Sequence, residues 1–373
     1  MKECRVKDIC IKGSSNLKQK DVEGKKGLYP VYGASGIISS IDTYHQENEY
    51  IAIVKDGSGI GRVSFMPPKS SVIGTMQYIL PKEGYDIRYI GYCLQSLGLN
   101  KYKQGAAIPH IYFRDYGERN IVVSENINEQ RRIVSYLDSS FKLIDEIKNK
   151  ALKSLTEAKA LFQSALAEAM EPKEGWEEKT LGEICLIVGR IGFRGYTRKD
   201  IVTNKKDGAI TLSPSNIVNG NMCYNNCTYI SWFKYNESPE IKIQNGDILI
   251  VKTGSSYGKS AFVENLPHKA TINPQFVVLK DIKINHKFLS YQLKTKKTYD
   301  YINSIVSGSA IPTFSQANLS KMLISLPPLS TQKQIVSRLD KLSSKVRAIE
   351  EKYQKMVEEC DALKQAMLRD VFE

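Results

Sequence analysis

The sequence contains one phrase twice: Glu129-Gln130-Arg131-Arg132-Ile133-Val134-Ser135-Tyr136-Leu137-Asp138 returns as Thr331-Gln332-Lys333-Gln334-Ile335-Val336-Ser337-Arg338-Leu339-Asp340. The two copies are 202 residues apart, and Ala160–Leu166 aligns with Ala362–Leu368 at the same distance. Each phrase opens a long segment without Pro or Gly, which predicts two long helices. The chain therefore contains two copies of one structural plan.

Weaker matches upstream of the two helices follow the same order along the chain. The matched pairs are Val6–Cys10 with Leu181–Cys185, Ile53–Ser58 with Ile250–Ser255, and Gly105-Ala106-Ala107-Ile108-Pro109 with Gly308-Ser309-Ala310-Ile311-Pro312. The offset grows from 175 for the first pair to 197 for the second and is 202 in the helices, so the second globular half carries insertions. Two copies are too few for a solenoid, which favours duplication of a whole domain with its helix.

Each copy begins with a strand-rich part that Gly and Pro punctuate, such as Tyr50–Lys55 and Asp247–Lys252. The linker at Pro172 ends the first helix, and Pro327-Pro328 precedes the second. We therefore predict an α+β chain whose globular parts are 1–127 and 173–328 and whose long helices are 128–172 and 329–373.

Both predicted helices carry a heptad pattern, with steps that alternate between four and three residues. In the second helix the pattern falls on Ile335, Leu339, Leu342, Val346, Ile349, Tyr353, Met356, Cys360, Leu363 and Met367. In the first helix it falls on Ile133, Leu137, Ser140, Ile144, Ile147, Ala151, Ser154, Ala158, Leu161 and Ala165. Large residues facing small ones let two helices approach closely, so we predict a coiled coil between them. The alternative is two separate helices, each lying on its own globular part.

The composition suits a folded protein with a polyanionic partner. Lys and Arg outnumber Asp and Glu by 53 to 40, for a net charge of +13. The first residues lack the apolar core of a signal peptide, and no apolar run reaches the roughly 18 residues that span a bilayer. Seven scattered cysteines suit a reducing cytoplasm, and the close pair Cys223 and Cys227 lacks the second Cys or His pair of a zinc site. We expect a cytoplasmic protein without a metal site.

Several segments resemble catalytic motifs but lack a required feature. Gly254–Ser260 has three residues between its glycines where a P-loop needs four. Asn273–Phe276 resembles the Asn-Pro-Pro-Phe motif of amino-methyltransferases, with Gln275 in place of the second proline. Gly57–Gly61 misses the dinucleotide-binding spacing, and the four histidines lie far apart. We therefore expect no catalytic residues.

The duplicated plan resembles the specificity subunits of type I restriction–modification systems over essentially the whole chain. The phrases that carry the resemblance are the two helix openings, the two Gly-x-Ala-Ile-Pro segments and Tyr29–Gly36. The resemblance implies a non-catalytic reader of double-stranded DNA. Each globular half is then a target-recognition domain for one part of a split site, and the helices form an antiparallel coiled coil that sets the separation.

The same resemblance implies the partners and cofactors. Two methylation subunits are expected to dock on the helical regions and to bring S-adenosylmethionine. Restriction subunits are expected to bring ATP-driven translocation and cleavage, with Mg²⁺. No cofactor is expected on this chain. The alternatives are a self-contained methyltransferase or nuclease, and a coiled-coil scaffold that binds only proteins.

Candidate DNA contacts are the polar loop residues that follow the matched strands. They are Lys55, Ser58 and Arg62 in the first copy, and Lys252, Ser255, Ser256, Tyr257 and Lys259 in the second. Gln77 and Gln275 carry amides able to bind adenine, and Arg190 and Arg194 lie in a glycine-rich loop where phosphate or guanine could be bound. For each residue the alternative is a solvated surface position.

The predicted seam gives an estimate of the DNA spacer. From Ile335 to Met367 it spans 33 residues, which at about 1.5 Å per residue is roughly 50 Å. This length corresponds to about 15 base pairs of duplex between domain centres.

Overall fold

The computed structural model describes residues 2–105 and 109–372, apart from the side chain of Phe193. The chain divides into two compact units. The first unit comprises Met1–Ser154 and Lys352–Glu373, and the second comprises Leu155–Glu351. The boundary between the two units falls inside each long helix. The predicted division of the chain into two globular parts and two helices therefore stays a prediction.

Over its described residues, 2–105, 109–154 and 352–372, the first unit contains nine strands in three small sheets. A four-stranded antiparallel sheet has the order β2-β8-β5-β6, a three-stranded sheet has the order β4-β3-β7, and β1 pairs with β9. The strands are β1 (Lys2–Arg5), β2 (Cys10–Ser14), β3 (Tyr29–Gly33), β4 (Gly36–Ile41), β5 (Tyr50–Val54), β6 (Val63–Met66), β7 (Ser71–Val72), β8 (Met76–Pro81) and β9 (Asn120–Val123). The helices are α1 (Val6–Ile9), α2 (Gln19–Val22), α3 (Ile87–Ser96), α4 (Phe113–Tyr116) and the long α5 (Ile127–Met170), with a 3-10 helix at Leu99–Tyr102.

The second unit repeats this plan with additions. Its strands are β10 (Glu177–Thr180), β11 (Leu186–Gly189), β12 (Ile201–Val202), β13 (Gly208–Leu212), β14 (Ile217–Val218), β15 (Asn221–Met222), β16 (Thr228–Ser231), β17 (Ile248–Val251), β18 (Ser260–Phe262), β19 (Ala270–Ile272), β20 (Phe276–Lys280) and β21 (Leu323–Leu326). Its helices are α6 (Leu181–Ile184), α7 (Trp232–Asn236), α8 (His286–Gln292), α9 (Lys296–Ile305), α10 (Gln316–Ser320) and α11 (Leu329–Phe372). Short 3-10 helices lie at Gly192–Arg194, Arg198–Asp200, Pro214–Asn216 and Pro239–Ile241.

The predicted internal repeat is confirmed by the sheets. The order β11-β20-β17-β18 in the second unit matches β2-β8-β5-β6 in the first, and β13 runs parallel to β19 as β3 does to β7. The insertions expected in the second half include the hairpin β14–β15, which has no counterpart in the first unit among the described residues. The α+β class is therefore also confirmed.

The core of each unit lies on the central strand of its four-stranded sheet. All five residues of β5 and all four of β17 are buried, and every one of these residues is apolar. Full burial of such side chains contributes about 1.5–3 kcal/mol each, which fixes the strand in the middle of the sheet. The loop that follows each of these strands is consequently held by a rigid support.

The two long helices run antiparallel to each other. In the first unit, Lys148 of α5 pairs with Asp361 of α11 at 2.6 Å, and Asp145 pairs with Lys364 at 2.6 Å. The residue number rises along one helix as it falls along the other. In the second unit, the pairs Lys159–Glu350 at 4.0 Å and Glu168–Arg338 at 3.4 Å follow the same direction. The predicted antiparallel coiled coil is confirmed.

The buried seam departs from the predicted one at four positions. The predicted seam residues that are buried include Leu137, Ile144, Leu339 and Val346. Those that are half-buried include Ile133, Ile335, Leu342, Tyr353, Met356 and Met367. By contrast, the structure leaves four predicted seam residues exposed, namely Ile147, Leu161, Ile349 and Leu363.

The physical reason for this correction is that the next residue along each helix takes the seam position. Lys148, Glu350 and Lys364 lie there with less than a third of the side chain exposed. Their aliphatic stems cover the seam while their charged ends reach partners on the opposite helix. The Lys364 ammonium also lies 5.1 Å from the centre of the Phe141 ring.

A buried glutamine joins each globular part to the start of its helix. The Gln130 side chain accepts a hydrogen bond from the Asp86 backbone N–H at 2.7 Å and donates to the Ser124 carbonyl at 2.8 Å. Gln332 accepts in the same way from the Asn285 backbone N–H at 3.0 Å. A buried polar group that loses its partner costs about 1–3 kcal/mol, so these contacts fix the helix on its globular part.

The aspartate that closes each repeated phrase forms a second joint. Asp138 accepts hydrogen bonds from the Tyr92 hydroxyl and from the Arg88 guanidinium, the latter at 2.6 Å. The second copy has the same arrangement, formed by Asp340, Tyr291 and Lys287. The repeated phrase thus encodes the attachment of each helix to its globular part.

Candidate nucleic-acid interface

Lys55 and Lys252 occupy the same place in the two copies, directly after the central strand of the sheet. The Lys55 backbone donates to the Thr75 carbonyl at 3.0 Å and accepts from the Ile111 N–H at 3.0 Å. For Lys252 the corresponding bonds are the donation to Gln275 at 2.7 Å and the acceptance from Phe314 at 3.3 Å. Both half-buried lysines are therefore held on two sides by the backbone.

In the first unit, Lys55 lies in a polar and basic cavity of about 310 Å³. Burial and the neighbouring Lys12 lower the pKa of Lys55. The Arg114 guanidinium lies 4.5 Å above the Tyr112 ring, whose edge is exposed. The remaining lining residues are Ser14, Gln77, His110, Ile111 and Phe113. Cations next to an exposed aromatic ring suit contact with the phosphates and bases of a nucleic acid.

The other residues predicted for the first unit have different surroundings. Gln77 is buried and donates from Nε2 to the Tyr116 hydroxyl at 2.6 Å, although it lines the same cavity. Ser58 and Arg62 lie exposed in the loop after β5, where Arg62 donates to the Ala34 carbonyl at 2.9 Å. Only Lys55 and Gln77 of the four predicted residues therefore share the cavity.

In the second unit, four of the predicted residues share one cavity of about 460 Å³. They are Ser255, Ser256, Tyr257 and Lys259, in the loop between β17 and β18. Lys294 and the exposed Tyr299 line the same cavity from the segments after α8 and in α9. The combination again offers cations, hydroxyl groups and aromatic rings.

Lys252, Gln275 and the two arginines do not line that cavity. The Gln275 side chain accepts from the Asn273 amide at 3.0 Å. Arg190 is buried, and its guanidinium donates to the Ile272 carbonyl at 3.1 Å and the Thr271 hydroxyl at 3.2 Å. Burial lowers the pKa of Arg190. This geometry favours a structural role for Arg190, since its donors face acceptors within the protein.

Arg194 pairs with Glu240, with the guanidinium 3.6 Å from the carboxylate. Glu240 and Lys242 form a Glu-x-Lys sequence, which also occurs in some nucleases. The Glu240 carboxylate therefore faces an arginine, which suits an ion pair better than a site for a divalent cation.

The basic and aromatic segment His110–Arg114 is not among the contacts predicted from the sequence. A signal was available, since this segment follows the repeated Gly105–Pro109 motif, of which residues 106–108 lie outside the described part of the chain. In the second unit, Pro312 of the matching motif accepts from the Gly254 backbone N–H at 2.9 Å. The repeated motif of the second unit therefore lies beside the loop that carries the candidate contacts.

The glycines in the two loops that resemble nucleotide-binding motifs are required by the backbone conformation. Gly57, Gly59 and Gly61 have φ of 81°, 84° and 83°, and Gly254 and Gly258 have φ of 103° and 80°. Residues with a side chain rarely adopt these values, so glycine lets both loops turn back on the sheet. A β-carbon at Gly61 would also lie 2.5 Å from the Asn100 backbone nitrogen.

Within residues 2–105 and 109–372, no group of three or more His, Cys, Asp and Glu side chains is arranged to hold a metal ion. No helix in the same ranges is both long enough and apolar enough to cross a membrane.

Comparison with known proteins gives a consistent result. The family described as Type I restriction modification DNA specificity domain matches residues 1–157 and 173–359. The chain is similar to the Type I restriction enzyme MjaVIII specificity subunit of Methanocaldococcus jannaschii, with 24% identity over 364 residues, 90% of this chain and 83% of that protein. It is also similar to the Type I restriction enzyme EcoKI specificity subunit of Escherichia coli K12, with 24% identity over 200 residues, 52% of this chain and 42% of that protein.

A solved structure shares the fold. It is described as "Structural basis underlying complex assembly and conformational transition of the type I R-M system" and superposes with a TM-score of 0.69 at 18% identity, covering 98% of this chain and 96% of that one. Because the family match extends over most of the sequence, the chain belongs to the type I restriction modification DNA specificity family.

Proposed function

We propose that this chain reads a split double-stranded DNA site, with one recognition surface on each unit. The observation that carries the proposal is the placement of Lys55 and Lys252 at the same point of the same sheet in the two copies. A lysine at the equivalent place in each copy suits a site with two blocks of specific sequence. The net charge of +13 supports the proposal, because lysine and arginine neutralise phosphates and release counterions.

Replacing Lys55 or Lys252 with Ala should weaken DNA binding and flatten its dependence on salt. A lysine that neutralises one phosphate adds about 0.9 to the slope of log K against log salt. Each single variant should therefore lose about one unit of slope, and the double variant about two. The measurement is fluorescence anisotropy of a labelled mixed-sequence duplex, titrated with the full chain at several salt concentrations.

Lys296→Ala provides the matched control for this titration. Its side chain is 85% exposed and pairs with Asp300 on the surface of α9. The control should keep the parent slope within error. Equal slopes for the parent, the control and the Lys55→Ala and Lys252→Ala variants would contradict DNA contact at the two lysines. Absence of any salt dependence in the parent would favour the protein-only scaffold.

We further propose that this chain has no catalytic site and holds no cofactor of its own. The turn conformations of the glycines account for both loops that resemble nucleotide-binding motifs. S-adenosylmethionine, ATP and Mg²⁺ then belong to the methylation and restriction subunits that assemble with it in the cytoplasm. Equilibrium dialysis of the purified full chain against S-adenosylmethionine and ATP is the test, and binding of either would favour the self-contained enzyme.

We propose that the methylation subunits dock on a row of exposed apolar residues along α5. In the first unit this row comprises Tyr136, Leu143 and Ile147, whose spacing of seven and four residues places them on one face of the helix. Exposed apolar side chains in such a row are typical of protein interaction sites. Leu161 continues the heptad spacing within the second unit.

The variant Leu143→Ser/Ile147→Ser should lose most of its binding to the methylation subunits while remaining folded. Leu143 is 62% exposed, so its replacement should change the free energy of unfolding by no more than about 0.5 kcal/mol. Copurification of tagged methylation subunits measures the assembly, with Leu28→Ser as a control at an exposed leucine outside the helices. Undiminished copurification would place the docking surface elsewhere.

A further inference from the structure

The second unit contains a further cavity of about 360 Å³, next to the one lined by Ser255–Lys259, and Lys294 lines both. Its walls come from α5, α8, α11, β18 and the tip of the hairpin β14–β15. The volume lies in the range of pockets that hold small organic ligands, about 300–1,000 Å³. The side chains that line this cavity indicate which class of ligand it fits.

The internal repeat shows that the cavity is specific to the second copy. In the first unit, Phe141 packs edge-on against Tyr92, with the ring centres 5.4 Å apart. The corresponding residues, at the repeat offsets, are Ser343 and Tyr291, and both line the cavity. A phenyl ring in the first copy is thus replaced by a small hydroxyl group, which leaves the space open.

The second copy also has two cationic side chains at this cavity, at positions where the first copy has none. Lys294 stands where the first copy has Gln95, and Arg347 stands where it has Asp145. The Lys294 ammonium donates to the Gly220 carbonyl at 2.8 Å, and among the described residues no carboxylate forms an ion pair with it or with Arg347. Both cations line the cavity. The carboxylates that also line it have other partners, since Glu264 and Asp340 pair with Lys287 and Glu350 pairs with Lys159. The charge change therefore favours an anion there.

Aromatic and aliphatic side chains form one part of the cavity wall, beside polar and charged residues. Phe162, Phe262, Tyr291 and Val346 line the cavity together with the two cations. The Phe162 and Tyr291 rings have centres 6.3 Å apart. Aromatic walls favour a planar ring in the ligand, whereas a bare inorganic anion would leave them in contact with water.

We propose that this cavity binds a small phosphate ester that carries an aromatic ring, the chemistry of a nucleoside monophosphate. Lys294 and Arg347 hold the phosphate, and the rings of Phe162, Phe262 and Tyr291 contact the planar group. The bound ligand touches α5, α8 and α11 together and so stabilises the folded second unit.

Binding should depend on the protonation of Lys294. Burial, and secondly the charge of Arg347, lower the pKa of Lys294 to about 8. Its ammonium is therefore present below about pH 8 and is lost above it, so affinity should fall as the pH rises through this value. The other charged groups that face Lys294 are Arg347, Lys287, Glu264 and Asp340.

Isothermal titration calorimetry of the full chain tests the proposal, with adenosine 5′-monophosphate, adenosine and inorganic phosphate as probes. The monophosphate should bind, and adenosine and phosphate alone should each bind at least about tenfold more weakly. Arg347→Asp and Lys294→Gln introduce the residues of the first copy and should each weaken binding by about tenfold or more. Ser343→Phe should fill the cavity and abolish binding.

Two controls keep the test decisive. Lys296→Gln removes an exposed cation from the same unit and should leave the affinity unchanged. Arg347 is exposed and forms no ion pair among the described residues, so Arg347→Asp should fold normally even if Ser343→Phe does not. Unchanged affinity in Arg347→Asp and Lys294→Gln would overturn the proposal, as would the absence of binding up to millimolar monophosphate.

Discussion

Deleting residues 148–154 from α5 together with residues 355–361 from α11 should shorten the spacer of the methylated DNA site by about 3 base pairs. Each deletion removes seven residues, so it keeps the heptad phase and shortens the helix by about 10 Å. The ion pairs Asp145–Lys364 and Lys159–Glu350 flank the two cuts and keep the antiparallel register.

The two blocks of specific sequence should stay the same, since no residue of the candidate DNA surfaces is removed. A change of 3 base pairs also rotates one block by about 100° around the duplex, so we expect slower methylation than in the parent. Sequencing of methylated genomic DNA, with the methylation subunits present, measures both the blocks and the spacer. An unchanged spacer would refute a measuring role of the helices.

Removing seven residues from α5 alone provides the control. It leaves α11 at full length, so the ion pairs on one side of the cut lose their partners in the antiparallel register. This variant should methylate neither the original site nor the shortened one. Methylation of either site by the single deletion would show that the paired helices do not set the spacing together.

The substitution Ile144→Ala should destabilise the first unit by about 3 kcal/mol, whereas Ile147→Ala should change its stability by no more than about 0.5 kcal/mol. Ile144 is 6% exposed and Ile147 is 49% exposed, although the heptad pattern predicts both in the seam. Loss of a buried side chain removes its transfer free energy and leaves a cavity, and neither cost arises at an exposed position.

The two variants are well matched, because they remove the same atoms from the same helix in the same unit. Urea unfolding followed by far-ultraviolet circular dichroism gives the two free energies of unfolding. Hydrogen exchange of the α5 backbone amides localises the effect. Equal destabilisation by both substitutions would instead support the heptad prediction, in which Ile144 and Ile147 both lie in the seam. Loss of methylation-subunit binding in Ile147→Ala alone would fit the proposed docking row.

The sequence predicted the helices and the repeat well because both depend on local patterns. The phrase that begins at Gln130 and returns at Gln332 marks the two helix starts, and the structure explains it by the buried joint that each glutamine forms. The seam was harder to predict, since Ile147 and Lys148 compete for one position. An apolar count favours Ile147, but Lys148 can lay its stem on the seam and pair with Asp361.

The candidate DNA surface was predictable only where the two copies could be aligned. The match of Lys55 with Lys252 placed both lysines on equivalent loops. Arg190 was selected for its charge and its glycine-rich surroundings, and its burial depends on contacts with residues about 80 positions away. Such long-range contacts leave no local pattern in the sequence.

The first unit takes part of its core from residues translated long after the rest of it. Leu368 and Phe372 of α11 are buried there with Leu137, and the Phe372 ring lies 5.2 Å from that of Tyr89. At about 5–20 residues per second, the ribosome needs roughly 10–40 s to make the second unit in between. During this time we expect the nascent first unit to expose the apolar surface that Leu368 and Phe372 later cover, a surface suited to chaperone binding.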